Sequence, residues 1–307
     1  MKSRKMMLII PILGMGIFIL YSRETLGFTS QGIELCLRTV IPSLFPFFLL
    51  SGYLTGNLTG AGLPAMVVSG FLGGYPIGAR SVAESWRTGH LSRSCANRML
   101  MFCSQAGPSF FFGIVAAAFP ELKYAWMLWA IQILSAASVG VLVYKPNAGK
   151  IQEQEFATVN LSVAMKNAIL AMASVCGWVV IFRVILGFLE WLPMDEYFQV
   201  LLSGFLELAN GCLKLSGVER VTARFLVAAV MLNFGGICVL MQTASLIQGL
   251  DLRYYLFGKV LQTGFALLYS MVFLGYYGAL IPIFTVFLLF GRRNTAKKSS
   301  IPASIGV

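Results

Sequence analysis

Glu207 stands between Leu206 and Leu208 within an apolar run. An ionisable side chain in such surroundings is costly, and it marks either a functional position or an interfacial one that reaches to water. Glu207 belongs to one of four places where an apolar stretch is interrupted by glycine, proline or polar residues. The interruptions are Gly73-Gly74-Tyr75-Pro76-Ile77-Gly78-Ala79, Ser104-Gln105-Ala106-Gly107-Pro108-Ser109, Glu207-Leu208-Ala209-Asn210-Gly211 and Asn233-Phe234-Gly235-Gly236. A broken helix exposes N–H groups at one half-helix end and carbonyls at the other. The N-terminal end carries partial positive charge and favours an anion. Four such breaks meeting inside an apolar body would make a polar cradle for a small solute.

The candidate substrate-binding residues are therefore Gly73, Gly74, Tyr75, Pro76, Gly78, Arg80, Ser104, Gln105, Gly107, Pro108, Ser109, Glu207, Asn210, Asn233, Gly235, Gly236 and Gln242. The amides among them can donate to and accept from a polar ligand. Arg80 is either an electrostatic partner for an anion or a topological anchor. For any single glycine, close helix packing is the competing explanation. The Gly73–Pro76 cluster is harder to assign to packing alone, because it joins a proline to two glycines beside the polar run 80–98.

Catalytic sets are not apparent. The single histidine, His90, lies in a polar segment, and no Gly-x-Ser-x-Gly elbow, Walker loop, His-Glu-x-x-His or dinucleotide fingerprint occurs. The six cysteines are scattered without a Cys-x-x-Cys pair, so they read as small buried hydrophobes. Neither a cofactor nor a metal is expected. The net charge of +11 is spread over connecting segments and the two ends, without a basic helix interleaved with stacking aromatics. Nucleic acid is accordingly excluded as a partner.

The elements that must hold such a cradle follow from composition. The chain is 58% hydrophobic and 11% charged, with mean hydropathy +0.79, against about 25% charged residues in soluble domains. Its apolar stretches are continuous rather than alternating, and in hydrocarbon only helices or a closed barrel satisfy the backbone. The expectation is an all-α, polytopic transmembrane helical bundle with broken or re-entrant helices, in contact with the lipid bilayer. Pro42 and Pro46, four residues apart in the apolar segment 32–56, are expected to kink or break that helix. The N-terminal segment 6–21 follows a basic start but lacks a small-x-small cleavage site, so it reads as a retained first helix.

The second half of the chain repeats the plan of the first. Ser69-Gly70-Phe71-Leu72 recurs as Ser203-Gly204-Phe205-Leu206, each ending a short apolar segment ahead of an interruption. A polar connection, an arginine (Arg98, Arg224) and a second Gly-containing break follow in both. Paired broken segments at matching positions are the pointer to a transporter site. The expected organisation is an N-terminal helix (1–30), a first repeat (31–145), a polar linker (146–160), a second repeat (161–277), and a short C-terminal membrane segment with a basic tail (278–307). Lys2, Arg4 and Lys5 at one end, and Arg292, Arg293, Lys297 and Lys298 at the other, place both termini in the cytoplasm with an even number of spans.

With these residues in view, the chain resembles the YlbJ-type sporulation integral membrane proteins, which carry the nucleoside-recognition (Gate) domain. The resemblance rests on 40–48 (Val-Ile-Pro-Ser-Leu-Phe-Pro-Phe-Phe), Gly74-Tyr75-Pro76-Ile77-Gly78-Ala79, Phe102-Cys103 with Gly107-Pro108, Glu207 with Asn210-Gly211, and Phe234-Gly235-Gly236. Two departures stand out. Ser104-Gln105 replaces the paired asparagines usual after Phe-Cys, and Leu240-Met241 precedes Gln242 where the family often has a histidine.

The resemblance implies two inverted Gate repeats in a fold distantly similar to concentrative nucleoside transporters. It also implies a role in endospore formation, namely export of dipicolinic acid from the mother cell across the outer forespore membrane. The expectation is a multi-pass secondary transporter of a small anionic metabolite, with dipicolinate the favoured substrate and a homo-oligomer left open. The alternatives are a transporter of nucleosides or another small polar solute, or a non-transporting scaffold in spore-envelope assembly.

Overall fold

Polarity in this molecule is turned inside out. Leu20 is 80% exposed and Ile19 72%, whereas Lys259 is 1% exposed and Gln105 and Gln262 are fully buried. Such a surface needs lipid around it. The structure is a computed structural model and describes residues 2–57, 62–143 and 160–286; apart from Asn160 the linker, and all four basic tail residues, lie outside the described residues. Among the described residues every regular element is a helix.

Helix α1 (Lys2–Leu20) is followed by α2 (Ser22–Leu35), a π-helical turn (Cys36–Val40) and α3 (Ile41–Asn57). The expected break at Pro42 and Pro46 takes a different form. The helical path runs on from α2 to Asn57, and the irregularity is the wider π turn just before Pro42. A one-turn π bulge loosens the ladder where proline removes N–H donors, without ending the helix.

Next come α4 (Gly62–Gly73), α5 (Ile77–Arg87), α6 (Arg93–Leu100), α7 (Pro108–Gly113) with a 3-10 turn (Val115–Ala118), and α8 (Lys123–Val143). The second half comprises α9 (Leu161–Leu189), α10 (Glu196–Leu206), α11 (Leu208–Lys214), α12 (Val221–Phe234), α13 (Gly236–Leu246) and α14 (Leu252–Phe273). Both halves therefore run long helix, broken pair, second broken pair, long helix. Five described stretches are long and apolar enough to cross a membrane: Ser22–Leu50, Lys123–Val143, Leu161–Leu189, Val221–Leu246 and Leu252–Phe273. The 21 residues of α8 extend about 31 Å, which matches a hydrocarbon core of about 30 Å. The protein is thus a polytopic α-helical membrane protein.

Like elements of the two halves pack on one another: α3 against α9, and α8 against α14. The repeated tetrapeptide has a physical role in each half. Gly70 and Gly204 are where the two arms of a broken pair touch. A Cβ on Gly78 would lie 2.9 Å from the Gly70 Cα, and one on Gly211 would lie 2.2 Å from the Gly204 Cα. Only glycine lets the arms meet backbone to backbone, as small residues do in membrane interfaces.

At the far end of α9, Glu190 accepts from Lys214 Nζ (2.6 Å) and Arg183 Nη1 (3.1 Å), tying α9 to α11. Burial disfavours its charge, but the two cations outweigh burial and hold the carboxyl below its ordinary 4.5. A depressed carboxyl adds stability above its ordinary range and loses it as pH falls through the depressed value.

Two outcomes are expected. Gly211→Ala overpacks the α10–α11 contact, at a cost of about 1–3 kcal/mol, and lowers the thermal midpoint in detergent. Gly177→Ala, with open space where its Cβ would stand, leaves the midpoint unchanged or raises it. Separately, the wild-type midpoint falls as pH drops below about 4.5, and Glu190→Gln flattens that acid limb.

Candidate functional site

The four sequence interruptions come together in the folded chain. Between α4 and α5 the chain turns through Gly74 (φ +77°), Tyr75 and Pro76, the Tyr75–Pro76 peptide being cis. Between α6 and α7 it runs without regular structure through 104–107, extended at Gly107, with Pro108 opening α7. These two breaks touch: a Cβ on Gly74 would lie 3.0 Å from the Gly107 nitrogen. The third break is Glu207 itself, extended (φ −142°, ψ 119°) between α10 and α11. The fourth is Gly235, left-handed at φ +89° between α12 and α13, which ends α12 as an αL cap. A Cβ there would meet the Tyr75 hydroxyl at 3.1 Å. The tyrosine of the first break thus reaches the fourth.

Glu207 is 4% exposed. Its Oε1 accepts from the Ala209 N–H (3.0 Å), and its Oε2 accepts from the Asn210 N–H (2.7 Å) and the Asn210 side-chain amide (2.8 Å). The carboxylate therefore caps the N-terminus of α11, where the helix dipole also favours it. Asn210 enters the site through this bond.

A second polar cluster lies on the other side of Tyr75. Lys259 Nζ donates to the Ser104 carbonyl (2.6 Å) and the Tyr75 hydroxyl (2.9 Å), with Gln105 Oε1 and Gln262 Oε1 each at 3.3 Å. The ammonium also stands over the Tyr75 ring, 4.9 Å from its centroid. Gln105 and Gln262 exchange amide bonds at 2.9 and 2.6 Å, and Gln262 donates on to Asn233 Oδ1 at 2.9 Å. Gly258 makes this possible, because a Cβ there would lie 2.3 Å from the Met101 carbonyl oxygen. Without a side chain at that position α14 lies against the second break, and Lys259 reaches it.

Between the breaks lies a cavity of about 40 Å³. Its wall includes Gly74, Tyr75, Gly107, Glu207 and Gln242, together with apolar side chains from α3, α9 and α13 such as Leu44, Val179 and Val239. Small-molecule pockets are about 300–1,000 Å³, so this space holds a few waters and not a metabolite.

The remaining expected residues divide as follows. Gly73 packs against Ile77, Gly78 lies against the Cys103 carbonyl, and Gly236 lies against the Gly204 carbonyl, so all three serve close packing. Gln242 is on the cavity and donates to Cys238 Sγ at 3.3 Å. Pro108 and Ser109 open α7. Arg80 is half-buried on the first turn of α5 and is not part of the cavity wall. Among the described residues it makes no side-chain hydrogen bond or ion pair. No described group of three or more metal-ligating side chains forms.

The sequence reading passed over Lys259 and Gln262. The signal was present: an ionisable residue in the first half of a 22-residue apolar helix, with a glutamine one turn on. By the reasoning applied to Glu207 it qualifies equally as a functional candidate. Gln132 was also missed; it is fully buried and donates to the Ala106 carbonyl of the second break at 2.8 Å.

The chain is 22% identical, over 313 aligned positions, to the sporulation integral membrane protein YlbJ of Bacillus subtilis (strain 168), covering 80% of this chain and 76% of that protein. The YlbJ-type resemblance seen in the motifs therefore extends over four fifths of the chain. No protein-family model matches the chain, and no solved structure matches it significantly.

The capping role of Glu207 has a measurable consequence. Glu207→Ala leaves the buried N–H groups of α11 without an acceptor, at about 1–3 kcal/mol each. Its thermal midpoint is expected to fall clearly below wild type, with Glu207→Gln in between because one acceptor remains.

Proposed function

We propose that this protein is a secondary transporter of a small anionic metabolite. The observation that carries the reading is the convergence of three helix breaks on one small cavity inside an apolar body, with the fourth break joined to it through Tyr75. Irregular backbone at membrane depth is tolerated where protein covers it or where it lines a pathway. Paired breaks in corresponding positions of two halves are how many transporters build their sites. The cavity is too small for a metabolite, so under this reading the structure corresponds to an occluded state. Substrate enters when the breaks part toward one side of the membrane. A catalytic role has no comparable support in the geometry.

Dipicolinic acid is the substrate we favour, exported from the mother cell during endospore formation. The support is the similarity to a sporulation membrane protein together with the half-helix N-terminus of α5 at the first break, which suits an anion. Under this reading the halves are inverted Gate-type repeats, both termini are cytoplasmic, and the protein resides in the outer forespore membrane.

Reconstituted proteoliposomes loaded with radiolabelled dipicolinate test the proposal. Saturable flux is expected, reduced at least about tenfold by Gly74→Leu, whose side chain would meet the Gly107 backbone and carry the left-handed strain of a bulky residue. Absence of flux under proton, sodium and calcium gradients removes dipicolinate, and flux of nucleosides instead would reassign the substrate. Absence of flux for every solute leaves the scaffold role.

A further inference from the structure

We propose that Lys259 is the seat of a substrate carboxylate, an assignment that rests on the transporter reading. The starting point is an imbalance of charge. Lys259 is 1% exposed, and each of its four oxygen neighbours is neutral: the Ser104 carbonyl, the Tyr75 hydroxyl, Gln105 Oε1 and Gln262 Oε1. Among the described residues no carboxylate pairs with it. Glu207, the buried acid of the cavity wall, is held by the N-terminus of α11. A buried cation compensated only by dipoles is costly, and a carboxylate makes bonds to an ammonium roughly twice as strong as neutral acceptors do.

A second observation points to the same ligand. The Ser104 hydroxyl is fully buried without a hydrogen-bond partner, which leaves a donor unused on the very residue whose carbonyl holds the ammonium. One ammonium, one hydroxyl and two reorientable amides match the two oxygens of a carboxylate. A phosphate group calls for more positive charge than this cluster holds, and a neutral nucleoside calls for none.

The origin of the four acceptors adds the mechanism. Tyr75, Ser104 and Gln105 belong to the first and second breaks, whereas Gln262 lies on α14 beside the lysine itself. If the first-half breaks withdraw from α14, Lys259 loses three of its four acceptors in one movement. A carboxylate arriving through the opened cavity then inserts between the parted groups, one oxygen on the Lys259 ammonium and the other on the Ser104 hydroxyl. The closed empty protein then holds the ammonium with dipoles and the loaded protein holds it with a carboxylate, whereas the open empty protein carries a bare ammonium.

The test is binding of radiolabelled pyridine-2,6-dicarboxylate to the purified full chain, competed by the unlabelled diacid and by its neutral isostere, pyridine-2,6-dicarboxamide. Wild type is expected to prefer the diacid by at least about tenfold, the scale of a charge-assisted hydrogen bond. Lys259→Gln is expected to bring the two competitors within about threefold of each other, with Lys259→Arg retaining the preference. Gln262→Glu places an internal carboxylate one turn from the lysine, so it is expected to remain monodisperse and folded yet lose diacid binding. A Lys259→Gln protein that keeps the tenfold preference, or a Gln262→Glu protein that binds as wild type does, overturns the assignment and leaves the transporter reading in place. Wild-type protein that neither binds nor transports any carboxylate removes both.

Discussion

The constraint on which this structure depends is that a broken helix inside a membrane leaves backbone groups that lipid cannot satisfy. At the second, third and fourth breaks side chains answer these groups, some from elsewhere in the fold and some from the break itself. The Ser104 carbonyl is taken by Lys259 and the Ala106 carbonyl by Gln132. The Phe102 carbonyl is taken by Gln105, and the Leu232 carbonyl, just before the fourth break, by the Tyr75 hydroxyl at 3.4 Å. Arg224 donates to the Ala118, Val218 and Ser216 carbonyls, joining the 3-10 turn Val115–Ala118 to a second one at Leu215–Gly217. At the third break the exposed groups are N–H donors, and there the answering side chain is an acid, Glu207.

Meeting those demands requires the elements to come closer than ordinary side chains allow. Gly78 lies on the Cys103 carbonyl, Gly258 on the Met101 backbone, and Gly211 on Gly204. These glycines lie beside the breaks, which is why the sequence motifs and the packing contacts coincide. Around this polar centre the outer surface of α9 and α14 presents Ile169, Leu170, Phe257 and Val260 to the surroundings, each more than half exposed. A polar interior with a lipid-facing exterior is then the only arrangement consistent with both composition and breaks.

Much of this was legible in the sequence, because glycine, proline and isolated polar residues punctuate an otherwise apolar chain. The break positions and the paired tetrapeptides could be read directly. The role of Glu207 could not, since an N-cap and a ligand-facing acid look alike until the direction of the following helix is known. Pro42 and Pro46 suggested a break that the π turn at Cys36–Val40 absorbs, an accommodation invisible to residue type. Lys259 was overlooked because α14 has no break of its own. Its importance comes from the second break lying against it, 155 residues earlier in the chain in the case of Ser104.

That separation bears on how such a protein can move. The bonds that tie the first-half breaks to the second half are long-range, from Tyr75 to Leu232 and from Lys259 to Tyr75 and Ser104. Each arm of a broken pair is a short rigid helix, and the glycine contacts within a pair need not change when pairs shift relative to α14. Under the transporter reading, movement between the halves exchanges partners at the Tyr75–Lys259–Gln262 cluster while each pair keeps its internal packing. A change limited to these polar contacts and the Gly258–Met101 packing is compatible with two discrete states, because packed interfaces switch between arrangements rather than deform continuously. The same side chains that make the breaks tolerable in lipid are thus the ones on which any opening of the cavity must act.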